Sequence, residues 1–196
     1  MLPPERSRFF DSAREMSLLC FLMGLLFCVL HLLNGWALRV FEFSDHIALV
    51  YLPGFLRLAN VLLLGLFWGT SATAMGGLML MFWSNEGVLL GLCNLTMSAT
   101  GALLSVVLMR VLQRRHVALS RLTDLIALAF LYALINALGH HLMWSWLDPS
   151  QLVRPEQLAY MVIGDVNGVI LGGLLLRWLS RKTGLTRKLR TRHDDH

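Results

Sequence analysis

Apolar runs as long as a membrane span dominate the sequence between Met16 and Leu179. A helix needs about 20 apolar residues to cross the hydrocarbon core of a bilayer, so this segment has room for about six spans with short loops. Only 15% of the residues are charged, whereas a soluble domain carries about 25%. The composition therefore predicts an all-α, polytopic transmembrane helix bundle and leaves no room for a separate catalytic domain.

The predicted spans follow these apolar runs, and the third span is short unless it extends into the inner turn at Trp68–Thr70. Residues 1–15 are then a cytoplasmic N-terminal segment, residues 16–179 form the six-helix transmembrane domain, and residues 180–196 form a basic cytoplasmic tail. The six predicted spans are Met16–Leu38, Ile47–Phe67, Ser71–Trp83, Val88–Met109, Leu122–Leu147 and Leu158–Leu179.

The placement of charge predicts the orientation. Fourteen of the 17 Lys and Arg residues lie in three clusters, at residues 6–14, 110–121 and 177–192, and acidic residues lie between these clusters. By the positive-inside rule the basic clusters are cytoplasmic, which places both termini inside and requires an even number of spans. We expect a multi-pass protein of the bacterial inner membrane whose basic residues contact the lipid bilayer and not nucleic acid.

Polar side chains inside the predicted spans are the strongest functional signal. Arg57 lies in the middle of the second span, and Asp165 is the acid that lies well inside a span. Because an arginine at the bilayer centre costs about 2.5 kcal/mol or more, we expect it to face the bundle interior and to pair with Asp165. Five other polar residues lie at similar depths: Asn60, Asn94, Asn136, His140 and Asn167.

These polar groups concentrate in the outer half of the bundle, whereas the inner half is almost entirely apolar. This asymmetry predicts a polar pocket that is open to the outer side and could take a small-molecule ligand. A purely structural ion pair is the alternative interpretation of the two charges. A through-channel would need polar lining in both halves, which the sequence lacks.

Small residues recur at helical spacing on two of the predicted spans. Such stripes let helix backbones approach closely in lipid, where van der Waals packing replaces the hydrophobic effect. We interpret them as packing within the bundle, with a membrane-protein partner or a homo-oligomer as the alternative. The glycines are Gly87, Gly91 and Gly101 on the fourth span, and Gly164, Gly168 and Gly172 on the sixth.

The sequence carries no pattern typical of an enzyme or a metal site. No nucleophile–base pair, phosphate-binding glycine loop or carboxylate dyad occurs. The adjacent His140 and His141 point about 100° apart on a helix, so they are poorly placed to share a metal. The cysteines lie inside apolar runs as small hydrophobic residues. We therefore expect no catalytic residues, no metal and no cofactor.

Two short motifs, Tyr51–Ala59 and Gly164–Gly168, stand in order along the chain. The first resembles the aromatic-x-Pro-x-Gly motif, and the second the Gly-Asp-x-x-Gly motif, of the membrane-associated sensor (MASE) domains of bacterial signalling proteins. Between them, Leu92–Leu112 and Leu122–Leu125 are similar to the middle of those domains. The likeness covers about Ile47–Leu179 and implies a ligand-sensing integral membrane domain.

The chain also departs from that family. Its members usually have more spans and are fused to a kinase or cyclase output domain, so the resemblance implies a free-standing sensor that acts through a separate partner protein. Two alternatives stay open. The chain also resembles the substrate-binding subunit of energy-coupling-factor vitamin importers, and an assembly subunit of a larger membrane complex would fit the lack of catalytic patterns.

Overall fold

The computed structural model describes residues 13–44, 47–84, 87–114, 117, 121–147 and 154–182. Most of the predicted N-terminal segment, the tips of the outer loops, much of the basic segment 110–121 and most of the basic tail lie outside these residues. Within them the chain folds as a bundle of α-helices: α1 (Ala13–Ala37), α2 (Pro53–Leu64), α3 (Leu66–Trp83), α4 (Val88–Gln113), α5 (Leu122–Leu147) and α6 (Pro155–Lys182).

The all-helical class predicted from the sequence is confirmed, and four of the described helices are long and apolar enough to cross a membrane. Large apolar side chains cover the outside of the bundle, including Leu22 on α1, Phe130 on α5 and Leu175 on α6. A helix that is apolar on its outward face belongs in lipid and not in water. The four helices are α1, α4, α5 and residues Pro155–Ser180 of α6.

The second predicted span, Ile47–Phe67, is not one helix. After α1, a short 3₁₀ turn (Arg39–Phe41) leads into an antiparallel hairpin of β1 (Glu42–Ser44) and β2 (Ile47–Ala48). Residues 49–52 then run without regular structure to α2, which begins at Pro53. Proline fits the first turn of a helix because the N–H that it lacks has no partner there.

The turn between α2 and α3 lies earlier than the sequence predicted. Gly65 separates the two helices with φ 85° and ψ 173°, a backbone conformation that glycine adopts readily. The predicted turn residues Trp68–Thr70 belong to α3, which supplies the length that the predicted third span lacked. The two helices pack closely, because a Cβ atom on Gly69 would overlap the carbonyl oxygen of Asn60.

The apolar core lies between α2, α4, α5 and α6. It is made of Leu58, Val61, Ala102, Val106, Met109, Leu125, Leu128, Ala129, Tyr132 and Val169. Tyr132 is the largest of these side chains and is fully buried. Its hydroxyl group marks the boundary between the apolar core and the polar site described below.

Four of the six glycines proposed for helix packing lie in contacts too close for a side chain, and Gly101 lies in ordinary van der Waals contact. A Cβ on Gly91 would meet Met81, one on Gly101 would meet Asn136, and one on Gly172 would overlap Phe55; Gly164 and Gly168 are described with the site. Gly87 is the exception. It is the exposed N-cap of α4 and has open space around it, so the packing stripe on this helix begins at Gly91.

Candidate functional site

A cavity of about 310 Å³ lies at the end of the bundle where α1 and α5 finish and α4 and α6 begin. Side chains from every one of the described α-helices line it. Its polar walls come from His31, Arg57, Asn94, Ser98, His140 and Asp165, and its apolar walls include Phe27, Leu80, Met81, Leu95, Trp144 and Met161. Four of the seven polar residues proposed from the sequence, Arg57, Asn94, His140 and Asp165, therefore meet at one cavity.

Arg57 is the cation of this site, and only 5% of its surface is exposed. Its Nη1 donates to the hydroxyl oxygen of Tyr132 at 3.0 Å and to Oδ1 of Asn136 at 3.4 Å. Its Nη2 donates to the hydroxyl oxygen of Tyr51 at 2.8 Å. These three neutral acceptors hold the guanidinium plane in one orientation at the cavity wall.

Two aromatic rings cover the guanidinium group of Arg57. Its Cζ lies 5.2 Å from the ring centroid of Phe27 and 5.0 Å from that of Tyr51. Both distances are within the range of a cation–π attraction, which gains strength where water is excluded. The charge is thus stabilised by ring faces and phenol oxygens.

Arg57 and Asp165 do not form the direct ion pair that the sequence predicted. Asn136 joins them instead, because its Oδ1 accepts from Arg57 while its Nδ2 donates to Oδ2 of Asp165 at 2.7 Å. This orientation of the amide follows from chemistry, since a guanidinium group can only donate and a carboxylate can only accept. We call these three residues the charged triad.

A second chain of hydrogen bonds leads from Arg57 towards α1. Nδ1 of His31 lies 2.9 Å from the hydroxyl oxygen of Tyr51. Because that oxygen accepts from Arg57, its single proton is free to be donated to His31, whose Nδ1 is then the acceptor. The aromatic ring of Tyr51 also meets the His31 ring edge-on, with the centroids 5.8 Å apart. His31 and Tyr51 therefore belong to the site, although neither is among the seven polar residues proposed from the sequence.

The opposite wall of the cavity is built by α4 and α5. Nδ1 of His140 lies 2.9 Å from the backbone carbonyl oxygen of Asn136, one turn earlier. A carbonyl can only accept, so this nitrogen carries the proton. Nε1 of Trp144 donates to Oδ1 of Asn94 at 2.8 Å, and the Trp144 and His140 rings lie 5.5 Å apart. Trp144 thus lines the cavity.

The irregular segment 49–52 is held at the cavity by two asparagines. Asn34 on α1 accepts from the backbone N–H of Leu52 at 3.0 Å and donates to the carbonyl oxygen of Val50 at 3.2 Å. Asn167 on α6 donates to the carbonyl oxygen of Leu49 at 2.9 Å. Backbone groups without partners are very costly in a membrane. Asn167, which follows Asp165 by two residues in the sequence, therefore has a structural role in holding this segment.

The two motifs that resemble the sensor family lie against each other. The backbone N–H of Tyr51 donates to the carbonyl oxygen of Gly164 at 3.0 Å. A Cβ on Gly164 would overlap the carbonyl oxygen of Ala48, and one on Gly168 would overlap that of Tyr51. Gly164 and Gly168 of the second motif therefore form the surface against which residues 48–51 pack.

Asn60 lies outside the cavity. It is fully buried between α2 and α3, where its Nδ2 donates to the hydroxyl oxygen of Thr73 at 3.3 Å. Of the seven polar residues proposed from the sequence, Asn60 and Asn167 are the two that neither line the cavity nor bond to a residue of the charged triad.

The described residues contain no group of three or more His, Cys, Asp or Glu side chains that could hold a metal ion. The polar atoms of the cavity are instead arranged as hydrogen-bond donors and acceptors around one cation and one carboxylate. No protein-family profile, curated protein or solved structure matches the chain.

Proposed function

We propose that this chain is a sensory, ligand-binding protein of the bacterial inner membrane that takes a small molecule into the cavity and acts through a separate partner protein. The observation that carries this proposal is the charged triad at the cavity wall. Buried charges inside a membrane protein are costly and are usually functional. A cavity of about 310 Å³ with a few converging polar groups and apolar walls is the usual form of a small-molecule site.

The charge distribution supports an outward-facing cavity. The helix ends around the cavity adjoin the acidic loops, and the opposite ends adjoin the basic clusters at residues 110–121 and 177–192. By the positive-inside rule the cavity then faces the outer side and both termini are cytoplasmic. In this arrangement the chain crosses the membrane six times. The second crossing is made by residues 47–52 together with α2, since α2 alone is about 18 Å long at 1.5 Å per residue.

A route from the cavity to the cytoplasmic side supports the sensory interpretation. Tyr51 and Asp165 both line the cavity, and the backbone of Tyr51 is bonded to α6 at Gly164. A ligand that moves either side chain would therefore act on α6, which continues to the basic residues near Lys182. A partner bound at that end could respond to a shift or rotation of this helix.

A substrate-binding subunit of an energy-coupling-factor importer is the second candidate. Trp83 and Trp144 line the cavity and supply the aromatic surface that such pockets need. Purification of the chain with its native membrane neighbours distinguishes the two functions. Association with an ATPase pair that hydrolyses ATP favours the importer, and association with a kinase or cyclase favours the sensor.

A ligand screen tests whether the cavity binds small molecules at all. The chain is purified in detergent, and its thermal unfolding is followed with a library of small metabolites. The same library is applied to Ser98→Phe, which fills the cavity from a buried position on α4, and to the control Thr96→Phe on the exposed surface of that helix. A true cavity ligand stabilises wild type and Thr96→Phe but not Ser98→Phe. If no compound behaves in this way, the proposed function is wrong.

A further inference from the structure

Arg57 and Asp165 at the cavity wall indicate which charged groups a ligand should carry. This inference rests on the proposed function, the binding of a small molecule in the cavity. The acceptors that the described residues give Arg57 are two phenol oxygens and one amide oxygen. Its Nε is buried and has no hydrogen-bond partner among those residues. Arginine binds a carboxylate best through two of its N–H groups, and no described carboxylate makes such a bond to Arg57. The strongest kind of partner for this cation is therefore absent from the part of the chain that the structure describes.

Asp165, the carboxylate of the charged triad, is placed to attract a cationic group of a ligand, as Arg57 is placed to attract an anionic group. Asp165 is 1% exposed, lines the cavity, and accepts from Asn136 through Oδ2 alone in the described hydrogen bonds. Its Oδ1 packs against Gly54, since a Cβ atom on that glycine would lie only 3.1 Å from it. Asp165 therefore presents a buried carboxylate at the cavity wall.

From these two positions we propose that the cavity binds an α-amino acid as its zwitterion. Its carboxylate lies at Arg57, its ammonium group lies at Asp165, and Asn136 spaces the two charges by the width of one amide. An anion alone would be attracted by Arg57 and repelled by Asp165, and a cation alone would meet the reverse. A zwitterion complements both charges and leaves the site neutral, which is the arrangement favoured in a medium of low dielectric constant.

The apolar walls select the side chain of this amino acid. Leu80, Met81, Leu95, Trp144 and Met161 line the rest of the cavity. Burial of apolar surface contributes about 25 cal/mol per Å², so a large apolar side chain gains much more from these walls than a hydrogen atom or a methyl group does. The preferred ligands are therefore amino acids with the size and polarity of leucine and phenylalanine.

The proposal is tested with four probes on the full chain in detergent, by calorimetric titration at neutral pH. L-phenylalanine carries both charges and the apolar group, phenylpropionate lacks the ammonium group, phenylethylamine lacks the carboxylate, and glycine lacks the apolar group. L-phenylalanine is expected to bind at least about tenfold more tightly than phenylpropionate and phenylethylamine, because each of these loses a charge-assisted hydrogen bond. It should also bind at least about tenfold more tightly than glycine, because glycine has no side chain to bury against the apolar walls. Equal affinity for L-phenylalanine and phenylpropionate would overturn the proposal.

A substitution with opposite effects on two probes separates recognition from folding. Asp165→Asn removes the partner of the ammonium group and the repulsion felt by an anion, so it should weaken L-phenylalanine about tenfold and leave phenylpropionate unchanged or tighter. The matched control is Asp124→Asn, since Asp124 is equally buried on α5 but does not line the cavity. If the ratio of the affinities for L-phenylalanine and phenylpropionate is the same in Asp165→Asn as in wild type, the proposal is wrong.

The outcome also distinguishes this inference from the proposed function. If other compounds stabilise wild type but not Ser98→Phe, while L-phenylalanine and L-leucine have no effect, the cavity is a binding site and the amino-acid assignment is wrong. If no compound stabilises wild type, both are wrong. Should Asp165→Asn fail to fold, Arg57→Lys gives the second test, because it keeps the charge but loses the fork geometry and should weaken both carboxylate probes.

Discussion

Tyr51 donates its backbone N–H to the carbonyl oxygen of Gly164 across 3.0 Å. This bond joins a segment without regular structure to the face of α6, at a position where neighbouring residues of both elements line the cavity. The contact is possible because Gly164 and Gly168 have no side chain, so the segment can rest directly on the helix backbone. The position of Tyr51, and through it the orientation of Arg57, depends on these two glycines.

Gly168→Ala should destabilise the protein by about 1–3 kcal/mol, because the new methyl group would overlap the carbonyl oxygen of Tyr51 and overpacking of a tight contact costs about that much. Thermal unfolding in detergent measures the effect. Gly87→Ala is the control, since Gly87 is exposed, has open space around it and has a φ of −60° that alanine tolerates. Similar midpoints for the two variants would contradict the packing described here.

Asn34 and Asn167 should differ in their contribution to stability. Asn34 is buried and makes two hydrogen bonds to the backbone of segment 49–52, whereas Asn167 is half-buried and makes one. Leucine at position 34 should therefore cost about 2–4 kcal/mol and leucine at position 167 about 1–2 kcal/mol, because each backbone group left unpaired costs about 1–3 kcal/mol. Chemical denaturation of both variants checks the order. An equal or reversed order would show that the segment is held by other contacts.

Four of the seven polar residues proposed from the sequence line the cavity, because the cost of placing Arg57, Asp165, Asn94 and His140 in hydrocarbon leaves them few other positions. The sequence could not predict how they connect. The choice of Asn136 as the bridge depends on the rotation of α5 relative to α2 and α6, which hydropathy does not determine. Tyr51 and Tyr132 were missed because phenol side chains are common in membrane helices and carry no large cost there.

Pro53 and Gly54 mark an interruption in the second predicted span, but the sequence does not show how far the irregular segment extends or which groups bond to it. Residues 49–52 are as apolar as a helix interior, and Pro53 can begin a helix as readily as it can kink one. The signal for the break is distributed over distant positions, since Asn34, Gly164 and Asn167 supply the partners that the segment needs. Only the tertiary fold brings these residues together.

The proposed orientation can be tested by labelling single cysteines in intact bacterial cells. The native Cys20, Cys28 and Cys93 are first replaced by serine. Val40→Cys, which is exposed after α1, should then react with a membrane-impermeant maleimide added outside, because the cavity end is proposed to face outward. Arg114→Cys, which is exposed at the end of α4, should react only after the cells are opened. Labelling of position 114 in intact cells would show that the proposed orientation is wrong.

The charged triad predicts that Arg57 and Asp165 are coupled through a third residue. Arg57→Leu and Asp165→Leu should each destabilise by about 3–5 kcal/mol, because each leaves the other buried charge without the opposite charge that Asn136 connects to it. The double variant should lose less than the sum, with a coupling energy of about 1–3 kcal/mol between the two sites. Thermal unfolding of the four proteins of this cycle gives that coupling.

Repeating the same cycle in an Asn136→Leu background distinguishes the bridge from direct attraction. Leucine keeps the branching at Cγ but removes the bonds to Arg57 and Asp165, so the coupling should fall. It should not vanish, because the charges still attract each other through a medium of low dielectric constant. A coupling that is unchanged without Asn136 would mean that the two charges interact directly, and additive single substitutions in the native background would mean that they do not interact at all.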